Sequence, residues 1–354
     1  MSATILALTR YSRLGASSRV RVLQYVPALE KAGFAVSVQP LFHDDDLRRL
    51  YKDGRRSPAR MLSALVERTA AILQAQTSDI IWLQQEIFPF LPYGIEAAML
   101  AHKKLIIDFD DAHHLYYKTL PAPLRLIYGP KIERMMRRAD VVVAGSPFMV
   151  DTARAAGAKN VHLVYSAVDS TAFPVTAPLP PRFTVGWIGT PMTARQSLHH
   201  LREPLARFLG ETRADAVFIG MDENQFPELP GKRVAWSEAS EQEYLPSLSV
   251  GLCPLDDTSW TRGKSGYKII QYMAAGRPAL TSPVGIAGDI VEDGVTGFHC
   301  RTPDDWYRRL HQLHGDPTLL KTLGAMSRTR AETRYDTAIA AAQLAALFKD
   351  CLSG

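Results

Sequence analysis

The strongest constraint on the fold is the order of signals in residues 254–298, which from Ser259 onward run SWTRGKSGYKIIQYMAAGRPALTSPVGIAGDIVEDGVTGF. A short apolar run, residues 250–253, precedes it and reads as a buried strand. A loop carrying Arg262, Gly263, Lys264 and Gly266 then opens an apolar-periodic segment, residues 267–275. Ile269, Ile270, Met273 and Ala274 follow helical spacing, and Gly276 with Pro278 ends the helix. A glycine loop running into a helix start presents backbone N–H groups and the positive end of the helix dipole to an anion. Arg262, Lys264 and Lys268 lie in or near that first turn, where the macrodipole disfavours each cation by about 0.3–1 kcal/mol. A bound anion cancels that penalty. The alternative is a solvated basic loop.

The stretch resembles the donor-sugar signature of the GT-B glycosyltransferases, in particular the retaining family 4 type. There a helix ending in A-M-A-x-G-x-P-V, a G-G-x-x-E-I-V turn and a D-G-x-x-G-F hairpin follow a strand and a loop. Here YMAAGRPAL, GIAGDIV and EDGVTGF stand in that order. The chain departs from the family at its E-x7-E pair, which falls on Gly263 and Gln271. It therefore resembles a subgroup lacking both glutamates. In the family the second glutamate holds the ribose hydroxyls, and Gln271 can still hydrogen-bond them. The first contacts the transferred sugar, where Gly263 offers only backbone. The resemblance also implies donor contacts at Gly266, Tyr267 and Lys268, and backbone N–H groups from Gly285, Ile286 and Ala287 to the sugar or phosphates. Asp289 replaces the usual glutamate, either as a helix cap or as a ligand contact.

The rest of the chain suits two domains. At 354 residues it exceeds one ordinary core, and its 46% hydrophobic and 22% charged content are ordinary globular values. Cys253, Cys300 and Cys351 share no metal-ligand or redox spacing and read as reduced thiols. No apolar run approaches the ~20 residues of a membrane span, and the N-terminus does not read as a signal peptide. The net charge of +5 is uneven: residues 1–180 hold 22 Lys/Arg against 16 Asp/Glu, the remainder 19 against 20. A basic first half suggests an anionic partner. No nucleic-acid motif accompanies it, which favours anionic lipid head groups over nucleic acid.

The N-terminal half alternates strands and helices. Strands are expected at residues 4–9, 34–42, 79–83, 105 onward, 140–144 and 161–164. Helices are expected at 19–32, 61–73, 124–138 and from Ser146-Pro147 to Gly157. Gly15 in the first connection serves a tight turn or, by the resemblance, approaches the donor diphosphate or the acceptor. Residues 43–68 form a basic excursion with Arg48, Arg49, Lys52, Arg55, Arg56 and Arg60 facing solvent, a membrane or an anionic acceptor. LIIDFDDAHHLYY, residues 105–117, concentrates polar groups after a buried strand, where open α/β sheets bind ligands. The resemblance puts a sugar- or acceptor-contacting histidine there, His113 first and His114 second. Asp110 and Asp111 then orient the imidazole or bind acceptor hydroxyls.

The C-terminal half repeats the pattern, with strands at 183–188, 216–220, 234–236 and 250–253 and a short helix at 241–248. Helices are expected again at 304–313, 317–330 and 336–350. After the first strand, GWIGTPMTARQSL offers Thr193 as a cap and, by the resemblance, Gly189, Thr190 and Arg195 to the donor diphosphate. Trp187 reads as core. The Trp236-Ser237 backbone is implied to meet the nucleobase.

The expected architecture is α/β, GT-B, with two Rossmann-like doubly wound parallel-sheet domains facing across a cleft. Residues 1–176 form an acceptor-binding domain, 177–182 a linker and 183–335 a nucleotide-sugar-binding domain. Residues 336–354 form a helix crossing back to the first domain. The expected activity moves a sugar from a nucleotide-diphosphate donor to a hydroxyl acceptor on a glycan or lipid-linked saccharide. It proceeds with retention and without a metal or other cofactor. Catalytic candidates are His113, Lys264, Arg262 and Asp110; no metal ligands are expected. The protein is expected in the cytoplasm or on the inner face of the cell membrane. A catalytically silent nucleotide- or glycan-binding protein and a nucleotide-sugar epimerase of the same fold are the alternatives.

Overall fold

The computed structural model describes residues 2–75, 78–174 and 178–353. Its contacts divide the chain into two units. Unit 1 is Met1–Ser166 with Gly263–Ser265 and Thr337–Gly354; unit 2 is Ala167–Arg262 with Gly266–Asp336. The expected domain boundary at 176/177 lies outside the described residues, and the contact division falls before it.

In unit 1 the strands are β1 (Ala3–Tyr11), β2 (Phe34–Phe42), β3 (Ile80–Gln84), β4 (Lys104–Phe109), β5 (Val141–Ala144) and β6 (Val161–Leu163). They form one parallel sheet in the order β2-β1-β3-β4-β5-β6. Every residue of β3 and β5 is buried. Strands covered on both faces read as unbroken apolar runs, which is why they stand out in the sequence. Pro40 sits in β2, an edge strand, where a missing N–H leaves no central ladder bond unmade. The chain leaves β1 toward β2 on one side and resumes with β3 on the other. Such a switch point opens a crevice at the carboxyl ends of the strands.

Two helices expected as continuous are broken, each at a proline. Residues 19–32 become Ala16–Arg21, a 3₁₀ turn Leu23–Tyr25 and Val26–Lys31, with Pro27 in the first turn of the last piece. Residues 124–138 become Ala122–Tyr128 and Lys131–Arg138, parted at Gly129-Pro130. A proline inside a helix removes one hydrogen bond and clashes with the carbonyl four residues before it. The basic excursion is two helices, Asp44–Asp53 and Pro58–Gln74. Three of the six cations named above have side-chain partners within the unit, among the described residues. Arg60 Nε donates to both Asp46 oxygens (2.9 and 3.0 Å), Arg48 pairs with Asp45, and Arg56 donates to Tyr11 Oη (2.6 Å). The helix Thr337–Ser353 belongs to this unit, its Phe348 ring edge-on to Trp82 (5.1 Å) and Phe34 (5.9 Å).

In unit 2 the strands are β7 (Thr184–Ile188), β8 (Asp215–Ile219), β9 (Lys232–Val234), β10 (Val250–Cys253), β11 (Ala279–Thr281) and β12 (Gly297–His299). Their order, β12-β11-β10-β7-β8-β9, is that of the dinucleotide-binding sheets and puts the switch point between β7 and β10. The strand expected at 234–236 lies earlier, because Ser237 is a helix cap. Its Oγ accepts from Ser240 N (2.9 Å), starting Glu238–Tyr244, and leaves 235–236 as connection. Tyr272 fastens the switch point: its Oη accepts from Ile188 N (3.1 Å) and donates to Leu252 O (3.2 Å). At the C-terminal end of the helix Tyr267–Ala274, which carries Tyr272, Arg328 donates to the carbonyl of Ala274 and also to that of Ser170.

Candidate active site

At the unit 1 switch point the ends of β1, β3 and β4 deliver Arg10, Gln84-Gln85-Glu86 and Asp108 to one place. Glu86 is its centre. One carboxylate oxygen lies 2.8 Å from His113 Nε2 and 3.8 Å from Arg10 Nη1. The other accepts from Tyr117 Oη (2.7 Å) and Lys131 Nζ (2.6 Å). Gln85, which precedes it, holds φ at +65°, a left-handed conformation uncommon outside glycine that turns the chain sharply after β3. The strain is met by bonds on both sides of its amide: Arg10 Nη1 donates to Oε1 (3.2 Å), and Nε2 donates to Asp110 Oδ1 (3.3 Å).

Burial alone would raise the Glu86 carboxyl, but the His113 hydrogen bond and the Lys131 charge overcome it and hold it far below its ordinary value. An ionised carboxylate only accepts, so His113 Nε2 carries the hydrogen it donates to Glu86. The neighbouring groups go the other way. Burial pushes Glu96, 2.9 Å from Lys131, up to about 7, with Lys131 opposing and Glu86 reinforcing the rise. Burial also raises Asp111 to about 7; Lys264, in the same unit, pulls it down and Asp110 pushes it up. His114 is lowered to about 4 by burial and stays neutral near pH 7. Beneath them Arg21 and Asp108 form a buried two-pronged pair (2.8 and 3.1 Å). Burial would lower the Arg21 guanidinium, but the Asp108 charge raises it.

Asp110 does not orient His113. It accepts from Ser17 Oγ and from Gln85, while Glu86 holds the imidazole. The reason is geometric: the chain turns after β4 so that Asp110 faces the loop after β1, where Gly15 lies. Gly15 is the N-cap of Ala16–Arg21 and packs so close to Tyr11 that a Cβ would fall 2.3 Å from the Tyr11 Cβ. Residue 263 is also closed by packing. A Cβ on Gly263 would lie 2.6 Å from Ala112 Cβ and 2.9 Å from Ala112 N, so no glutamate fits there in this arrangement. Gln271 is buried on the helix Tyr267–Ala274.

Unit 2 builds its end of the switch point from backbone. Gly266 (φ +69°) is the N-cap of Tyr267–Ala274 and packs on Ile286 and Ile290. Gly285 (φ +54°) starts the turn to Ala287–Ile290, with Ile286 and Ala287 buried; a Cβ there would meet Arg262 O at 2.6 Å. After β7, Gly189 lies against the Trp187 ring, and Thr190, not Thr193, caps the next helix, its Oγ1 accepting from Thr193 N (3.2 Å). Trp187 is core, and Lys268 Nζ lies 4.6 Å from its ring centroid. Trp236 Nε1 donates to Glu241 (2.5 Å). Two expected cations are occupied and exposed. Arg262 pairs with Asp257 (2.6 Å), and Arg195, in the last turn of its helix, with Asp222 (3.7 Å). Of the three cations at the helix entrance, Arg262 is ion-paired, Lys264 belongs to unit 1 and Lys268 lies over Trp187.

Glu86, Lys131 and Arg10 escaped the sequence reading. The signal was the one used for residues 105–117: QQE follows the fully apolar IIWL as DFDD follows LII. The sequence reading also names no metal ligands, whereas among the described residues His199, His200 and Asp256 bring their ligand atoms within 4.8 Å of one another.

Residues 182–316 match the family described as Glycosyl transferases group 1. A D-inositol 3-phosphate glycosyltransferase of Streptomyces bingchenggensis is 35% identical over 91 residues, 25% of this chain and 20% of the relative. The match thus spans about a fifth of that relative's length. Among solved structures, sucrose-phosphate synthase from Thermosynechococcus elongatus superposes with a TM-score of 0.72 at 14% identity, covering 99% of both chains. Anabaena Alr3699/HepE in complex with UDP-glucose gives 0.70 at 15%, over 98% of this chain and 99% of that one. The fold is the two-domain α/β fold of the GT-B glycosyltransferases, and unit 2 carries the group 1 match.

Proposed function

We propose that the protein is a glycosyltransferase that moves a sugar from a nucleotide-diphosphate donor to a hydroxyl acceptor on a glycan or lipid-linked saccharide. The transfer retains anomeric configuration and uses no metal. The group 1 match over residues 182–316 carries this reading. The UDP-glucose complex of HepE, similar in fold, supports a nucleotide-sugar donor. Unit 2 binds the donor: the Gly266 helix entrance and the N–H groups of Gly285 and Ile286 face the diphosphate, the Ala287 N–H being given to Val284 O (3.2 Å), and Gln271 takes the ribose. Lys264, two residues before Gly266, supplies the charge that stabilises the departing diphosphate. Unit 1 binds the acceptor, and His113, fixed by Glu86, presents Nδ1 to a sugar or acceptor hydroxyl.

A membrane-facing acceptor has its own support. The helix Ala122–Tyr128 buries no residue; Leu126 and Ile127 are 82% and 51% exposed, with Arg125 between Leu124 and Leu126. This favours a protein seated on the inner face of the cell membrane, with lipid-linked saccharide as acceptor. The silent-binder reading draws on the closed space at Gly263, which leaves the transferred sugar without a carboxylate partner.

A panel of nucleotide sugars tests these readings together. The true donor at 100 times its Kd stabilises the fold by about 2.7 kcal/mol. Mass spectrometry and NMR of the products then separate transfer, epimerisation and simple binding. Lys264→Ala is expected to lower turnover about 10²–10³-fold with the melting temperature unchanged. Unaltered turnover removes Lys264 from the mechanism, and stabilisation by every nucleotide without turnover on any acceptor selects the silent binder.

A further inference from the structure

We infer that unit 2 carries a surface site for a divalent transition metal, with His199, His200 and Asp256 as ligands and a fourth position open to water. The two histidines are neighbours on the 3₁₀ turn Leu198–Leu201, and Asp256 lies on the segment that follows β10. His199 Nε2 is 3.6 Å from Asp256 Oδ1, and His200 Nε2 contacts the same oxygen. The ring centroids are 3.8 Å apart. In a tetrahedral zinc site, bonds of about 2.0–2.2 Å put ligand atoms roughly 3.3 Å from one another. The ligand atoms here all lie within 4.8 Å of one another, near that spacing before any ion draws them in.

The chemistry selects the ion. Two imidazole nitrogens and one carboxylate oxygen suit zinc, cobalt, nickel or copper, whereas magnesium and calcium prefer all-oxygen shells. Asp256 is held for the task by its own backbone. Its carbonyl accepts from Thr258 N (3.1 Å) and from Thr261 Oγ1, fixing the turn from which the carboxylate projects. All three side chains are more than a third exposed, so an ion reaches them directly from solvent. The site joins two connections of unit 2: the one after β7, which begins with Gly189 and Thr190, and the one between β10 and the helix Tyr267–Ala274. A bound ion therefore anchors the segment that carries Asp257 and Arg262. None of this depends on the sugar-transfer reading.

The test uses the full chain without a histidine tag, stripped with chelator. Cobalt(II) titration followed by visible absorption is expected to saturate at one equivalent. Zinc displaces the cobalt and magnesium does not. Hydrogen exchange across residues 256–262 slows with zinc. Loss of a mere supporting partner costs a metal site about 10–100-fold, so His200→Ala and Asp256→Asn are each expected to weaken binding at least about 100-fold. His311→Ala, which removes an imidazole beside Glu211, leaves it unchanged. Absence of saturable one-to-one binding, or binding that survives both substitutions, overturns the assignment.

Discussion

Units 1 and 2 share a six-stranded parallel sheet with a switch point, yet they furnish it by different means. Unit 1 gathers buried side chains: Glu86, His113, Lys131 and Tyr117 hold one another through hydrogen bonds of 2.6–2.8 Å. Unit 2 exposes Arg195 and Arg262 in ion pairs and shapes its switch point with Gly266 and Gly285 at positive φ. A site made of buried charges fails when one charge is removed, because its partners cannot recover hydration. A site made of backbone fails when volume is added. Each kind of substitution should therefore damage one unit's site and spare the other's.

The largest expected effect is at Glu86. Glu86→Gln keeps shape and removes the charge that fixes the His113 tautomer and faces Lys131. Where a carboxylate orienting a catalytic histidine is made an amide, turnover falls about 10⁴-fold. A loss of about 10³–10⁴-fold in kcat with donor affinity unchanged by calorimetry is expected here. Destabilisation of about 3–5 kcal/mol should accompany it, since Lys131 loses its 2.6 Å partner and keeps Glu96 and the Phe88 carbonyl. Loss of donor affinity instead would mean that Glu86 does not act on the acceptor side alone.

Gly285→Ala asks the converse question of unit 2. A left-handed alanine costs about 1–2 kcal/mol, and its Cβ would meet the Arg262 carbonyl oxygen at 2.6 Å. Donor affinity should fall about tenfold or more, with less effect on kcat at saturation. Gly276→Ala is the control: it has φ +70° but nothing within 4 Å of the new Cβ, so it carries the backbone cost alone. Equal losses in the two variants would show that strain, not the closed space beside Arg262, matters at 285.

This division also explains what could be read beforehand. Unit 2's features are glycines, prolines and an apolar helix in fixed order, and such signals are local. GIAGDIV and EDGVTGF declare their turns without knowledge of the rest of the chain. Unit 1's centre is not local. Glu86 meets His113 and Lys131 only because β3, β4 and the helix Lys131–Arg138 converge, and no spacing announces that. LIIDFDD showed where polar groups collect, but not that Asp110 would turn toward Ser17 while Glu86 took the imidazole. At Gly263 the sequence records a missing carboxylate, and only packing shows Ala112 standing in its place.

The next effect is in stability against pH. Glu96 is raised from an ordinary 4.5 to about 7, so across that window the folded state holds a proton that the unfolded state has lost. Its contribution is present below pH 4.5 and disappears as pH rises through 7. His114, lowered to about 4, acts with the opposite sign between about 4 and 6.5. The difference between wild type and Glu96→Gln isolates the first group. Urea melts from pH 4 to 8 should show the variant gaining on wild type as pH rises, while both lose stability below pH 4.5 as Glu86 is protonated. Parallel curves would mean that Lys131 keeps Glu96 ionised.

Arg262→Ala should do least. Its guanidinium is 53% exposed and spends two donors on Asp257, itself 57% exposed. Exposed pairs of this kind contribute little because water competes for both partners. The melting temperature should not move, and donor affinity should fall far less than in Lys264→Ala. Arg262 and Lys264 stand two positions apart and were indistinguishable as charges in a glycine loop, so the pair measures how far ion pairing disarms a cation that composition alone would enlist. If Arg262→Ala matched Lys264→Ala in turnover, the Asp257 pair would have to open when donor binds. Asp257→Asn, which frees the guanidinium in advance, would then raise donor affinity rather than lower it.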